Sequence, residues 1–226
     1  NDVYCQVLGI QSHYRTNVLP VQIRKAFELY SSLGLELNVT ELDLATGDGD
    51  HWSNLDMGFG KLNEKADSYA DMTLFNMMKD IGMTMMSVIG GSSGILYGSA
   101  YIAAAAVVRD KTEMDKRTLC DVLTEMLNAI IKRGQSQVGF KTMIDSLSPA
   151  VDAFEACIEN GDEDIALCEK VAAAAVAGAE STKEMEAVRG RAVYQANKGV
   201  GHLDPGAVTM SYQIEELMNL VAEKVQ

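Results

Sequence analysis

The sequence predicts an all-α domain of eight helices, mostly antiparallel. Three observations predict it. Ala, Leu and Met are plentiful while aromatic residues make up only 6% of the 226 residues, a bias toward good helix formers. Apolar residues recur at three- and four-residue spacing, and no segment shows the alternation of a half-buried strand. The connections between the periodic segments are short, as they are between antiparallel neighbours.

The elements follow in order. VQIRKAFELYSSLGLEL is amphipathic and predicts a first helix from Pro20 to about Leu37, with the proline near its first turn. Asn38 to Asp50 is an acidic, turn-rich loop. A second helix is expected from Asn54 to about Ala66, and a third, rich in Met, from Ser68 to Ile89. GGSSG at 90–94 breaks the chain, and a fourth helix is expected from Ile95 to Arg109. Lys116 to Lys132 is the fifth, and Gly134 to Gly139 the next break. Thr142 to Glu159 and Asp162 to about Ala179 are the sixth and seventh. After an irregular Gly-rich stretch from Arg189 to Pro205, Ala207 to Val225 is the eighth. The runs AAAAVV and VAAAAVAGA imply helices packed closely. Residues 1–17 lack a regular pattern and are expected to be an irregular extension, with a single domain over 18–226.

A hydrophobic content of 47% allows a substantial core, and the formal net charge is −13. An acidic chain is unsuited to non-specific nucleic-acid binding. An anionic ligand would need local help from a cation or a helix N-terminus. Cys5, Cys120, Cys157 and Cys168 are widely spaced, which argues for reduced thiols and a cytoplasmic location. No apolar run is long enough to span a membrane.

Four stretches carry candidate chemistry. In LDLATGDGDHWSN, Asp43, Asp48 and Asp50 fall within eight residues. Carboxylate oxygens suit Mg²⁺ or Ca²⁺, but the spacing is not that of an EF-hand, and an acidic turn before a helix start has the same composition. GGSSG offers amides and hydroxyls to an anion, or is an ordinary turn with a Ser cap. GQSQVGFKT at 134–142 nearly spells a P-loop, but Phe140 is inserted before Lys141 and a helical pattern precedes it, so a P-loop is rejected. Lys141 is left as a cation near phosphate or a surface lysine. RGRA at 189–192 and GHLDPGA at 201–207 supply an Arg pair suited to phosphate and strong turn chemistry. His51 and His202 are candidate bases or phosphate donors, or simply hydrogen-bonding side chains. Together, carboxylates, an anion turn and a late Arg loop describe a nucleotide–metal site.

Four segments together resemble the DhaL-type nucleotide-binding subunits of dihydroxyacetone kinase. They are GDGDH at 47–51, GGSSGILYGSA at 90–100, GFKTMID at 139–145, and the run from Gly190 to Tyr194 followed by GHLDPGA at 201–207. The likeness runs in order from about Pro20 to the C-terminus. It implies an eight-helix antiparallel up-and-down barrel with the nucleotide site at its open end. By position it implies that Asp43, Asp48 and Asp50 hold two Mg²⁺ ions, and that His51 and Asn54 form a phosphate-contacting turn. It likewise implies an anion loop at Ser92 and Ser93, an adenine pocket at Gly134 and Met143, a catalytic phosphate arginine at Arg191, and a late nucleotide loop at Asp204, Pro205 and Gly206.

The implied reaction is phosphoryl transfer, through ADP or ATP, to dihydroxyacetone held on a DhaK-type subunit. The absence of a substrate domain favours recharging by a DhaM-type phosphohistidine protein of the sugar phosphotransferase system. The alternatives are a nucleotide-binding coregulator of a transcription factor and an ATP-dependent module with another acceptor. The chain departs from the family pattern at Trp52, where glycine is usual, and at Phe140, where aspartate is usual. It departs again at Val193, across Gln195 to Gly199, and at Leu203. A bulky residue at 52 limits positive φ and close backbone approach. The expected consequence of these departures is an altered partner or substrate preference.

Overall fold

A computed structural model of the protein describes residues 51–225, apart from the side chain of Trp52. Among the described residues there are seven α-helices, three short 3₁₀ turns and no strand, so the all-α class holds. The expected first helix and Asp43, Asp48 and Asp50 lie outside the described residues, as does the expected boundary at residue 18. The chain sorts into two compact units.

The described residues of the first unit are Ser53–Gly134. They hold most of α1 (His51–Lys65), then α2 (Leu74–Val88), α3 (Gly91–Val107) and α4 (Lys116–Gly134). The expected helix from Ser68 to Ile89 is divided. Ala66–Tyr69 is a 3₁₀ turn, and Thr73 caps α2 by accepting the Asn76 amide at 3.3 Å. The division lets Tyr69 drop into the core, where its hydroxyl donates to Asp80 Oδ2 at 2.9 Å. Lys65 donates to the same carboxylate and to Thr84 Oγ1, and burial beside Asp80 pushes the Tyr69 phenol well above its usual range. α2 packs on α3, and α3 on α4. The close packing implied by the small residues is met at Gly82 and Gly98: a methyl group on either would lie within 2.8 Å of the other's carbonyl oxygen.

The second unit's described residues are 51–52 and 135–225, with α5 (Ile144–Asn160), α6 (Asp164–Ser181) and α7 (Pro205–Val225) packed on one another. α5 ends at Gly161 in the left-handed region (φ 70°), where the Asp162 amide reaches back to the Cys157 carbonyl at 2.9 Å. α5 and α6 approach closely enough for Ser146 Oγ to donate to the Ala175 carbonyl at 2.9 Å. Cys120, Cys157 and Cys168 are buried and form no disulfide. No described helix is long and apolar enough to cross a membrane.

Candidate functional site

In the first unit the candidate residues meet at the α2–α3 turn. The GGSSG run does more than break the chain: α3 begins at Gly91, four residues before the expected start at Ile95, with Gly90 as its N-cap. Ser92 and Ser93 are therefore first-turn residues of α3, Ser92 exposed and Ser93 half-buried. A glycine cap has no side chain to accept the first-turn amides, and no acidic residue stands in that turn. Such a helix start suits an anion. Gly91 has φ +65°, and a methyl group there would meet nothing within 4 Å, so glycine serves conformation rather than space. At Gly94 the need is steric, because a methyl group would lie 2.2 Å from the Ile89 carbonyl oxygen. One on Gly90 would come within 3.0 Å of Asn54 Oδ1, which places the Asn54 carboxamide beside the start of α3. Gly134 is the last residue of α4.

In the second unit a chain of polar contacts joins the 139–145 turn to the start of α7. Asp145 is buried and accepts from the backbone amides of Gly139 and, at 2.7 Å, Thr142. Thr142 Oγ1 in turn accepts from the Ile144 amide at 3.2 Å. Asp145 thus holds the Thr142 amide just ahead of Met143, the residue that precedes α5. The Thr-x-x-Asp spacing was the legible signal of this contact.

Asp204, Pro205 and Gly206, expected as turn chemistry, are the cap and first residues of α7. The Asp204 carboxylate accepts from the Ala207 amide at 2.8 Å, and Pro205 stands at the first helical position, where its missing N–H costs nothing. A methyl group on Gly206 would lie 3.8 Å from Met143 Cβ, so the proposed adenine residue and the late nucleotide loop are neighbours. Thr209, one turn into α7, donates to the Pro205 carbonyl at 2.8 Å. Its only proton is thereby used, so His51 Nε2, 3.1 Å from the same oxygen, is the donor to it. His51 is thus held against the α7 start.

Lys141 differs from both sequence-based alternatives. It is 1% exposed, and its ammonium donates to the carbonyls of Thr182 and His202 at 2.5 Å each. Its backbone is left-handed, φ +61°. Burial lowers the lysine pKa, while Asp204 and Asp145 pull it back up. Asp204 shows the converse. Burial, with Asp145 adding to it, raises its carboxyl to about 7 against the opposing pull of the Ala207 amide, the Lys141 charge and the Gly206 amide. Arg189 Nε donates to the Gln135 carbonyl at 3.1 Å, which gives it a structural task. Arg191 is exposed at the start of the 3₁₀ turn Arg191–Tyr194. His202 enters through its carbonyl rather than its ring. Thr182, Thr209 and Asp145 were missed as members of this network.

The position of Trp52 bears on the departure from glycine. Residue 52 lies in the first turn of α1, so its backbone is helical, with negative φ. Glycine's conformational freedom is not needed there.

The described residues contain no cluster of three or more His, Cys, Asp or Glu side chains able to hold a metal. In kind, though, the uncapped hydroxyl-bearing start of α3, the exposed Arg191 and the apolar Met143 beside Gly206 fit parts of a nucleotide.

Comparison with known proteins identifies the family. Residues 45–219 match the DAK2 domain. The ADP-binding subunit DhaL of the PEP-dependent dihydroxyacetone kinase of Escherichia coli (strain K12) is 33% identical over 179 residues, covering 79% of this chain and 85% of that protein. The DhaL subunit of PEP-dependent dihydroxyacetone kinase 1 of Listeria innocua is 39% identical over 169 residues, covering 75% of this chain and 79% of its own. Among solved structures, the dihydroxyacetone kinase from C. freundii in complex with AMP-PNP and Mg²⁺ superposes with a TM-score of 0.66 at 25% identity. That match covers 95% of this chain and 35% of the kinase, so the chain spans about a third of that protein's length.

Proposed function

The chain belongs to the DAK2-domain family, and from that premise we propose that it is the nucleotide- and Mg²⁺-binding subunit of a dihydroxyacetone kinase. The observation that carries this proposal is the 33% identity to an ADP-binding subunit across 85% of that subunit's length. The uncapped start of α3 supports it independently, because such an end suits phosphate.

In this proposal Asp43, Asp48 and Asp50 hold two Mg²⁺ ions against the nucleotide phosphates. The bound ions supply charge neutralisation on the transferring group, the main requirement of phosphoryl transfer. Ser92, Ser93 and the α3 amides receive phosphate oxygens, with Asn54 and His51 beside the same phosphates. Arg191 stabilises the charge that develops in transfer. Gly134 and Met143 take the adenine, and Asp204 to Gly206 form the facing loop. The acceptor is dihydroxyacetone on a DhaK-type subunit, and a DhaM-type phosphohistidine protein recharges the bound ADP. In an acidic chain, Asp43, Asp48 and Asp50 would hold the cations, and the positive charge these supply would make a polyphosphate tolerable.

The test is to denature the purified protein and identify any released nucleotide by chromatography and mass spectrometry. The protein is then supplied with a DhaK-type subunit, dihydroxyacetone and either ATP or a phosphorylated DhaM-type donor. Retained ADP and transfer from the DhaM-type donor are expected. Nucleotide binding without transfer from either donor would replace catalysis by a regulatory role, and absence of Mg²⁺-dependent nucleotide binding would sink the proposal.

A further inference from the structure

We propose that Lys141 is a positioning residue. Its buried ammonium clamps both ends of the 183–203 loop and so sets the Arg191 turn and the Asp204–Gly206 helix start for nucleotide. The nucleotide half of this statement rests on the function proposed above; the clamp itself rests on geometry.

The two carbonyls that Lys141 holds belong to Thr182, just after α6, and His202, two residues before the cap of α7. They lie 41 and 61 residues from the lysine, and one ammonium joins them. Other bonds tie the rest of the loop, among them Lys198 Nζ to Glu186 at 2.8 Å and Arg189 Nε to the Gln135 carbonyl at 3.1 Å. The Gly201 amide donates to the Lys183 carbonyl at 2.8 Å, and Ala187 to the Lys198 carbonyl at 2.9 Å. The Val188 amide donates to the carbonyl of Phe140, Lys141's neighbour, at 3.2 Å. Thr182 relays the clamp onward: its hydroxyl donates to the Ala179 carbonyl at 2.6 Å and accepts from the Asp204 amide at 2.9 Å. The clamp thus acts on the residue that caps α7 and, through Gly206, faces Met143.

Two local costs are concentrated at Lys141. A non-glycine residue in the left-handed region is strained, and an ammonium removed from water is penalised. The charge is not needed to fill space, since a methionine has nearly the same length and none. The carbonyls also explain why a lysine suits the place: they need a compact multiple donor, which an ammonium is.

The test compares the full-length protein with Lys141→Met and Lys141→Arg by three measurements: thermal midpoint, Mg²⁺–ADP affinity by calorimetry, and peptide-resolved amide exchange. In Lys141→Met, exchange across 183–204 should rise roughly ten- to a hundredfold, the effect of losing hydrogen bonds to a charged group. Mg²⁺–ADP affinity should fall at least about tenfold. Exchange in α2, α3 and α4 should be unchanged. Lys141→Arg, which keeps the charge and the donors, should recover part of both losses.

Unchanged affinity together with unchanged loop exchange in Lys141→Met would overturn the proposal. If that variant does not fold, the wild-type protein decides: the Gly201 and Asp204 amides should be protected nearly as well as α5, and exchange at exposed-loop rates would refute the clamp. A wild-type protein that binds no Mg²⁺–ADP would remove the nucleotide half together with the proposed function, and the exchange result would still decide the clamp.

Discussion

Gly178→Ala and Gly60→Ala are the same substitution in two helices, and the structure gives them opposite signs. Gly178 lies in α6, where an added methyl group would sit 2.2 Å from the Asp145 carbonyl oxygen and 2.7 Å from Pro149 Cγ. Both obstacles are rigid: one is backbone and the other a proline ring. The contact is close because Pro149 has no N–H to give the Asp145 carbonyl within α5, and the bare Cα of Gly178 fills that place. To restore an ordinary separation near 3.4 Å, α6 must move off α5 by more than about 1 Å. Overpacking of this kind costs about 2–3 kcal/mol, and the helix propensity gained by alanine returns about 1 kcal/mol. The net loss is roughly 1–2 kcal/mol, a fall in Tm of about 2–8 °C for a chain of this size. At Gly60, exposed in α1, the methyl group would meet nothing within 4 Å, so only the propensity gain remains and Tm should rise by about 1–4 °C.

Calorimetric melting of both variants against wild type is the assay. Mg²⁺–ADP affinity should also fall in Gly178→Ala, because the residue it displaces, Asp145, holds the 139–143 turn through the amides of Gly139 and Thr142. A Gly178→Ala protein as stable as Gly60→Ala would refute the reasoning, since it would mean that the α5–α6 contact yields without cost.

Three further predictions follow from the site. Asp48→Asn and Asp50→Asn should each abolish Mg²⁺-dependent ADP binding, and unchanged affinity in both by calorimetry would remove the metal assignment. Arg191→Ala should lower the rate of phosphoryl transfer by at least about tenfold while changing ADP affinity less, as expected of a group that acts on developing charge; equal losses in both would make it a binding residue only. Because burial holds the Asp204 carboxyl at about 7 against an ordinary 3.8, the native state binds more protons than the unfolded state between those values. The contribution of Asp204 is therefore fully present below pH about 4 and lost as pH rises through about 7. Asp204→Asn keeps a capping side chain and should flatten that part of the stability–pH curve, measured by urea unfolding.

The helices were legible because each buries one face and repeats at its own period. α4 to α6 begin and end within about two residues of their expected bounds. Their starts were less legible where one residue type serves two structures. GGSSG and Asp-Pro-Gly are both turn chemistry by composition, yet the structure uses one as the first turn of α3 and the other as the cap and first turn of α7. The split before α2 depends on Tyr69 reaching Asp80 and on the Thr73 cap, and a continuous apolar pattern hides both. Lys141 was illegible for a stronger reason. Its burial arises from two carbonyls that return to it from distant parts of the chain, and no local spacing encodes that return.

That inward lysine changes how the charge of the site must be assembled. A lysine in a near P-loop run invites assignment to phosphate, but this one is 1% exposed and already committed to two carbonyls. Arg189, its other obvious cationic companion, spends its Nε donor on the Gln135 carbonyl. In a chain of net charge −13, these two cations serve the loop's architecture first. Under the proposed function, neutralisation of a bound polyphosphate would then fall to the α3 amides, to Arg191 and above all to divalent ions on Asp43, Asp48 and Asp50. Nucleotide affinity should accordingly depend far more steeply on Mg²⁺ concentration than on monovalent salt, since two divalent ions would carry most of the compensating charge. A nucleotide held chiefly by protein cations would show the reverse dependence.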